Sequence, residues 1–254
     1  MSKLAFLHNP KTAGTFVRVY MSHLFRINGW DDSLYDGHAP HGPYGEKWRD
    51  FVFDEFIEIA DREKGKERPA FLHSHSNSYA AGVFFRLKKD GWKTFTFIRG
   101  LGDILCSYFF YMQDFKKYPQ GPQITPLKDD WNLVHWGVPR SVIEKLTLDE
   151  FISIAINRKR WKIVPPFWER VDYVLPYSNE NFAMILKETL GHEFEGKIPE
   201  IKGQEDSNKE KILTSSNKGY KLHCENGDIS PKNQKNIKED WRQKLFDVLT
   251  ERCN

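Results

Sequence analysis

The stretch His8-Asn9-Pro10-Lys11-Thr12-Ala13-Gly14-Thr15 joins a short apolar run to an amphipathic one, and its reading decides the fold. Ahead of it Leu4, Ala5, Phe6 and Leu7 are continuously apolar, as in a strand covered on both faces. Behind it Phe16, Tyr20, Leu24 and Ile27 recur at helical spacing with Val17 alongside, which predicts a helix beginning close to Gly14. A helix start leaves its first amide hydrogens unpaired, and together with the helix dipole they favour an anion there. Lys11 adds a mobile positive charge, and Thr12 and Thr15 add hydroxyl donors. The nucleoside triphosphatase pattern G-x-x-x-x-G-K-[ST] does not fit, because Lys11 precedes Gly14 instead of following it.

The same punctuation continues along the chain. Pro69 to His73 is a short apolar run, expected as a strand that ends in His73-Ser74-His75-Ser76, with a turn after Leu72 splaying the imidazoles so that at least one faces a cleft. A helix is expected from about Tyr79 to Lys89, closed by Gly91. Lys93 to Ile98 carries the aromatic and β-branched residues of a strand and runs directly into Arg99, and Asp103 to Gln113 reads as the next helix. Strands alternating with helices predict an α/β fold with a central parallel sheet flanked by helices. Such sheets bind ligands beyond the carboxyl ends of their strands, where His8, His73, His75 and Arg99 fall.

Other elements follow from caps and period. Phe51 to Ala60 is expected as a helix, and Thr147 with Glu150 is a capping box opening another through Ile152, Ala155 and Ile156. Val171 to Pro176 reads as a strand, and Ser178 or Asn179 caps a helix that Gly191 closes. Ser230-Pro231 opens a last helix with Ile237, Trp241, Leu245, Phe246 and Leu249 on one face. The aperiodic stretches 28–48, 116–146 and 192–230 are expected as loops or flaps, the second as a lid or acceptor-binding loop. Residues 1–254 are read as a single domain.

Composition narrows the function. A length of 254 residues with 39% hydrophobic content suits one domain with a sizeable core. A net charge of +3 and a pI near 8.6 permit anionic ligands and argue against a strongly basic nucleic-acid binder. No run of 18 apolar residues occurs and no secretory leader pattern opens the chain, so the expectation is a cytoplasmic protein without a membrane partner. Cys106, Cys224 and Cys253 form neither a disulfide framework nor a zinc pattern, and His38 and His41 lack partners at ligand spacing, so no metal is expected.

The segment P-K-T-A-G-T at 10–15 resembles the 5′-phosphosulfate loop of sulfotransferases that use 3′-phosphoadenosine 5′-phosphosulfate (PAPS), especially their carbohydrate branch. Phe95 to Tyr111 resembles the same family's 3′-phosphate motif, a strand ending in arginine with a serine eight residues later in the next helix. A guanidinium at a strand end can fork onto a phosphate while the serine faces the same anion. Gly100 and Leu101 depart from the acidic residue or asparagine and the proline that usually follow that arginine, whereas Asp103 agrees with the cytosolic branch. His73-Ser74-His75 is similar to the H-x-H of hexuronyl 2-O-sulfotransferases, in which a histidine acts as base. Val174 to Phe182 resembles the family's late strand and helix start, with Glu180 in register; the adenine-contacting tyrosine falls at Asn179, so that contact is lost or taken by Tyr177. Lys218-Gly219 is similar to part of its final R-K-G loop.

The resemblance implies a three-layer, P-loop-like fold and transfer of a sulfuryl group from PAPS to an acceptor hydroxyl on a small molecule or glycan, releasing 3′-phosphoadenosine 5′-phosphate (PAP). By position it implies His75 as base with His73 supporting it, and Lys11 as the group that stabilises charge on the phosphosulfate. It implies nucleotide contacts from Lys11, Thr12, Ala13, Gly14, Thr15 and Phe16, from Arg99 and Ser107, and from Lys218 and Gly219. Two alternatives stand beside it: a small nucleotide-dependent kinase, for which no G-K-[ST] and no acidic metal site are present, and a non-catalytic nucleotide- or glycan-binding module.

Overall fold

Leu4 and Phe6 turn to one face of a sheet and Ala5 and Leu7 to the other, and all four side chains are fully buried, as the unbroken apolar run requires. The structure, a computed structural model, describes residues 2–9, 11–36, 53–75, 81–114, 142, 145–157, 168–193, 195–196 and 219–252. These fall into two compact units, one within Met1–Ile98 and Val164–Gly203 and the other within Arg99–Ile163 and Gln204–Arg252.

The first unit holds an all-parallel sheet of five strands: β1 (Lys3–His8), β2 (Leu34–Asp36), β3 (Ala70–His75), β4 (Trp92–Ile98) and β5 (Tyr173–Pro176). Their order is β2-β3-β1-β4-β5, so the chain builds one side of β1 and then crosses to the other. Helices α1 (Gly14–Ile27) and α6 (Asn179–Leu190) cover one face through Val17, Met21, Phe182 and Ile185. Helices α2 (Phe53–Glu63) and α3 (Ala81–Lys89) cover the other through Phe56, Ile59, Val83 and Leu87. This is the three-layer α/β arrangement expected from the alternation of strands and helices. Ser178 caps α6 by accepting from the Asn181 amide at 3.1 Å, and Gly191 closes it at φ +66°, a conformation that costs an L side chain about 1 kcal/mol or more.

The second unit is helical: α4 (Leu101–Asp114), α5 (Leu148–Ile156), α7 (Tyr220–Glu225), α8 (Pro231–Glu239) and α9 (Trp241–Glu251). The capping box of α5 is present, with Thr147 and Glu150 reciprocally bonded, and Ser230 caps α8 ahead of Pro231.

Four expectations are corrected. Residues 28–48 are not all loop: Asp31–Ser33 forms a 3₁₀ turn and β2 pairs with β3 at the sheet edge, a strand too short to show alternation. No turn follows Leu72; β3 runs on to His75 in register with β1, which puts His73 and His75 on one face. Within 192–230, Tyr220–Glu225 is helical. The last helix is two, because Asp240 is extended and its carboxylate caps α9 while pairing with the buried Arg242 at 2.7 Å. The break turns Trp241 outward, 57% exposed.

Glu63, at the end of α2, ties the layers at the sheet edge. Its fully buried carboxylate accepts from Tyr35 at 2.7 Å and from Arg68 at 2.7 and 3.1 Å, while Lys3 donates to its carbonyl. Burial alone would raise its pKa, but Arg68 and Tyr35 outweigh burial and hold it below the usual carboxylate value. A lowered carboxylate pKa adds stability above the unfolded-state value that is lost as pH falls through the folded-state one. Glu63→Gln should therefore cost about 2–4 kcal/mol in urea unfolding at pH 7, with the gap to wild type closing as pH falls below the carboxylate range. A gap that persists unchanged at low pH would assign Glu63 a packing role instead.

Candidate active site

Parallel pairing brings three histidines to one end of the sheet. His8 closes β1 and His75 closes β3, and the two are register partners. His73 lies two residues before His75 and is fully buried. The His8 ring packs edge to face with His75 at 4.7 Å between centroids, and lies 5.2 Å from His73. Phe6 stacks on His8 from within the same strand at 5.5 Å. His8 and His75 keep partial exposure.

Asp36, the last residue of β2, organises the cluster. Its Oδ1 lies 2.8 Å from His73 Nδ1, and its Oδ2 accepts from Arg18 Nε of α1 at 3.0 Å. His73 Nε2 then lies 3.2 Å from His8 Nδ1. The result is a chain running Arg18, Asp36, His73, His8, with His75 against its end. Burial pushes the His73 pKa down against the pull of Asp36. Both of its nitrogens are engaged, one by Asp36 and one by His8. Among the described residues no group of three or more His, Cys, Asp or Glu side chains could hold a metal ion.

Beside the cluster lies the loop between β1 and α1. Lys11 and Ala13 adopt φ values of +66° and +63°, a left-handed conformation costing non-glycine residues roughly 1–3 kcal/mol each. Thr12 is buried and holds the turn: its amide and hydroxyl both donate to the Asn9 carbonyl, at 3.3 and 2.5 Å. Its proton is thus committed to the loop, while Thr15 is exposed and Lys11 partly so. Ala13 is the N-cap of α1, and no side-chain cap bond closes that helix start. Phe16 meets Tyr20, Tyr177 and Phe182 in an aromatic group beneath the loop. Gly14 is where the loop and the cluster touch: a Cβ there would fall 1.9 Å from His8 Cε1 and Nε2.

The second unit carries the other expected residues. Arg99, partly exposed, directly follows the last residue of β4, and Ser107 is buried within α4. The Leu101 amide at the start of α4 donates to Gln243 at 2.8 Å. Tyr220 packs over Gly102 and its amide donates to Asp103 at 2.8 Å, and a Cβ on Gly219 would lie 3.3 Å from the same carboxylate. Gly219 is thereby brought to the helix that begins beside Arg99. Lys218, residues 116–141, 143 and 144 of the expected lid at 116–146, and His38 and His41 lie outside the described residues.

Asp36 and Arg18 are the residues that sequence reading missed, and His8 was located but given no role. The usable signal was period two: Phe6 and His8 on one strand face, His73 and His75 on the next. No family model, curated protein or solved structure matches the chain. Among the described residues no helix is long and apolar enough to cross a membrane.

Gly14→Ala should destabilise the protein by about 1–3 kcal/mol in urea unfolding, because the His8 ring is held by Phe6 and His73 and has no room to retreat. In a His8→Ala background the same change should be nearly neutral. Equal costs in the two backgrounds would mean that the imidazole does not define the space at Gly14.

Proposed function

We propose that this protein is a PAPS-dependent sulfotransferase. The observation that carries the reading is the strained loop of residues 11–14, whose lysine stands at a helix start without a side-chain cap and whose glycine abuts a histidine cluster. A transfer of this kind needs both features side by side: positive charge where the donor's anion sits, and a base where the acceptor's hydroxyl arrives.

PAPS would supply an activated sulfuryl group, which passes to the acceptor oxygen as the 5′-phosphate leaves. Lys11 and the first amides of α1 stabilise the charge that gathers on the leaving phosphate, with the Thr15 hydroxyl as a further donor. Thr12 contributes by keeping the loop in shape through Asn9. The acceptor's proton goes to the imidazoles at the ends of β1 and β3, among which the family resemblance designates His75. The resemblance assigns Arg99 and Ser107 to the 3′-phosphate. The aromatic and apolar residues favour a carbohydrate acceptor no more than they exclude a phenol, and the H-x-H and P-K-T-A resemblance selects the carbohydrate.

Calorimetry with PAP, ATP and ATP plus magnesium, paired with transfer of labelled sulfate from PAPS to a panel of glycans and phenols, tests the reading. PAP should bind without metal and in preference to ATP, and labelled sulfate should appear on an acceptor. Lys11→Ala should lower turnover about 10²–10³-fold, and Arg99→Ala should weaken PAP at least tenfold. Magnesium-dependent binding of ATP with no binding of PAP would replace this reading with a kinase.

A further inference from the structure

Gly100 stands between Arg99 and α4 and has no side chain with which to cap the helix it opens. Its carbonyl accepts from the Ile104 amide at 3.0 Å, which places it at the N-cap position. Serine, threonine, asparagine or aspartate there would answer one of the unpaired first amides from within the same turn. Asp103, the acidic residue of the first turn, is engaged elsewhere and accepts from the Tyr220 amide at 2.8 Å. Leu101 is fully buried, so its amide needs a partner that water cannot be. That partner comes from 142 residues further along the chain: Gln243 of α9 accepts from the Leu101 amide through Oε1 at 2.8 Å. Its Nε2 donates to Asp247, also at 2.8 Å, which holds the glutamine amide from its other side. A Cβ on Gly100 would fall 3.3 Å from that Oε1 and 3.6 Å from the Phe246 ring, so the glycine leaves the space that the glutamine enters.

We propose that Gln243 is a positioning residue for the 3′-phosphate end of the nucleotide. The proposal rests on the sulfotransferase reading, in which Arg99 and Ser107 take that phosphate, and deepens it by naming what holds those two in place. Arg99 lies just ahead of α4 and Ser107 in its second turn, so the backbone of Gly100 and Leu101 sets the spacing between guanidinium and hydroxyl. Gln243 grips that backbone from α9, at the point where a local cap would otherwise do so. Two groups that share one anion tolerate little relative displacement, and a shift of about 1 Å is already costly. The loss of Gln243 should therefore be felt at the 3′-phosphate and not at the 5′ end, which the same reading gives to the loop between β1 and α1.

Calorimetry on the full chain with PAP, and with adenosine 5′-phosphate as the ligand that lacks the 3′-phosphate, tests this. Gln243→Ala should weaken PAP about three- to tenfold and leave adenosine 5′-phosphate within about twofold of wild type. Gly100→Asn in the Gln243→Ala background puts an acceptor back at the same helix start, on a backbone outside the left-handed region, and should return PAP to within about twofold of wild type. Equal weakening of both ligands would give Gln243 a role in the fold at large. Unchanged PAP affinity in Gln243→Ala, or a double variant as weak as the single one, would mean that the acceptor at Leu101 does not position the phosphate site. Each of these results overturns the proposal and leaves the sulfotransferase reading standing. Wild-type protein that binds no PAP would defeat both.

Discussion

A carboxylate tucked under the end of an edge strand must be answered by donors, and the way Asp36 is answered shapes the rest of this site. Arg18 takes one oxygen and His73 the other, so a residue of α1 and a residue of β3 are fastened to the end of β2. Charge-assisted bonds of this kind are about twice as strong as neutral ones and more demanding of geometry. His73 in turn contacts the His8 ring, and that ring lies across Gly14. Gly14, six residues beyond the end of β1, is in this way constrained to glycine by a carboxylate on a different strand, with no demand on its own φ.

In the proposed reading the loop and the cluster serve different halves of one kind of chemistry. Two non-glycine residues in the left-handed region are costly, and they persist because Thr12 and Asn9 over-determine the turn between them. The strained loop carries Lys11 to the start of α1, while the histidines are carried on the ends of paired strands. Groups placed on strand ends reorganise little when charge develops, which is the condition under which a fixed dipole or an imidazole is most effective.

The layers were legible in the sequence because buried parallel strands are short apolar runs and their helices keep a clean period, as in Leu4 to Leu7 and Val17 to Leu24. Caps were legible where the chemistry is local: Thr147 with Glu150, Ser178, and Ser230 ahead of proline. What escaped was set by distant contacts. β2 is three residues long and exists because β3 offers it an edge, so nothing local marks Asp36 as anything but a loop acid. The break at Asp240 escaped for a related reason, since the apolar spacing runs across it and only the demand of Arg242 for a carboxylate separates the two helices. At the site, His73 and His75 were visible as a motif and Lys11 and Gly14 as a loop, but the bond between His73 and His8 depends on the pairing of β1 with β3 and on register that continues to the last residue.

The central claim is that the loop of residues 11–14 and the histidines beside it receive the phosphosulfate end of PAPS. A crystal structure of the protein grown with PAP tests this most directly. The account predicts the 5′-phosphate within hydrogen-bonding distance of Lys11 and the first amides of α1, with His8 and His75 facing the space beyond it. PAP bound away from that loop, with the residue 11–14 turn and the histidines untouched, would contradict it.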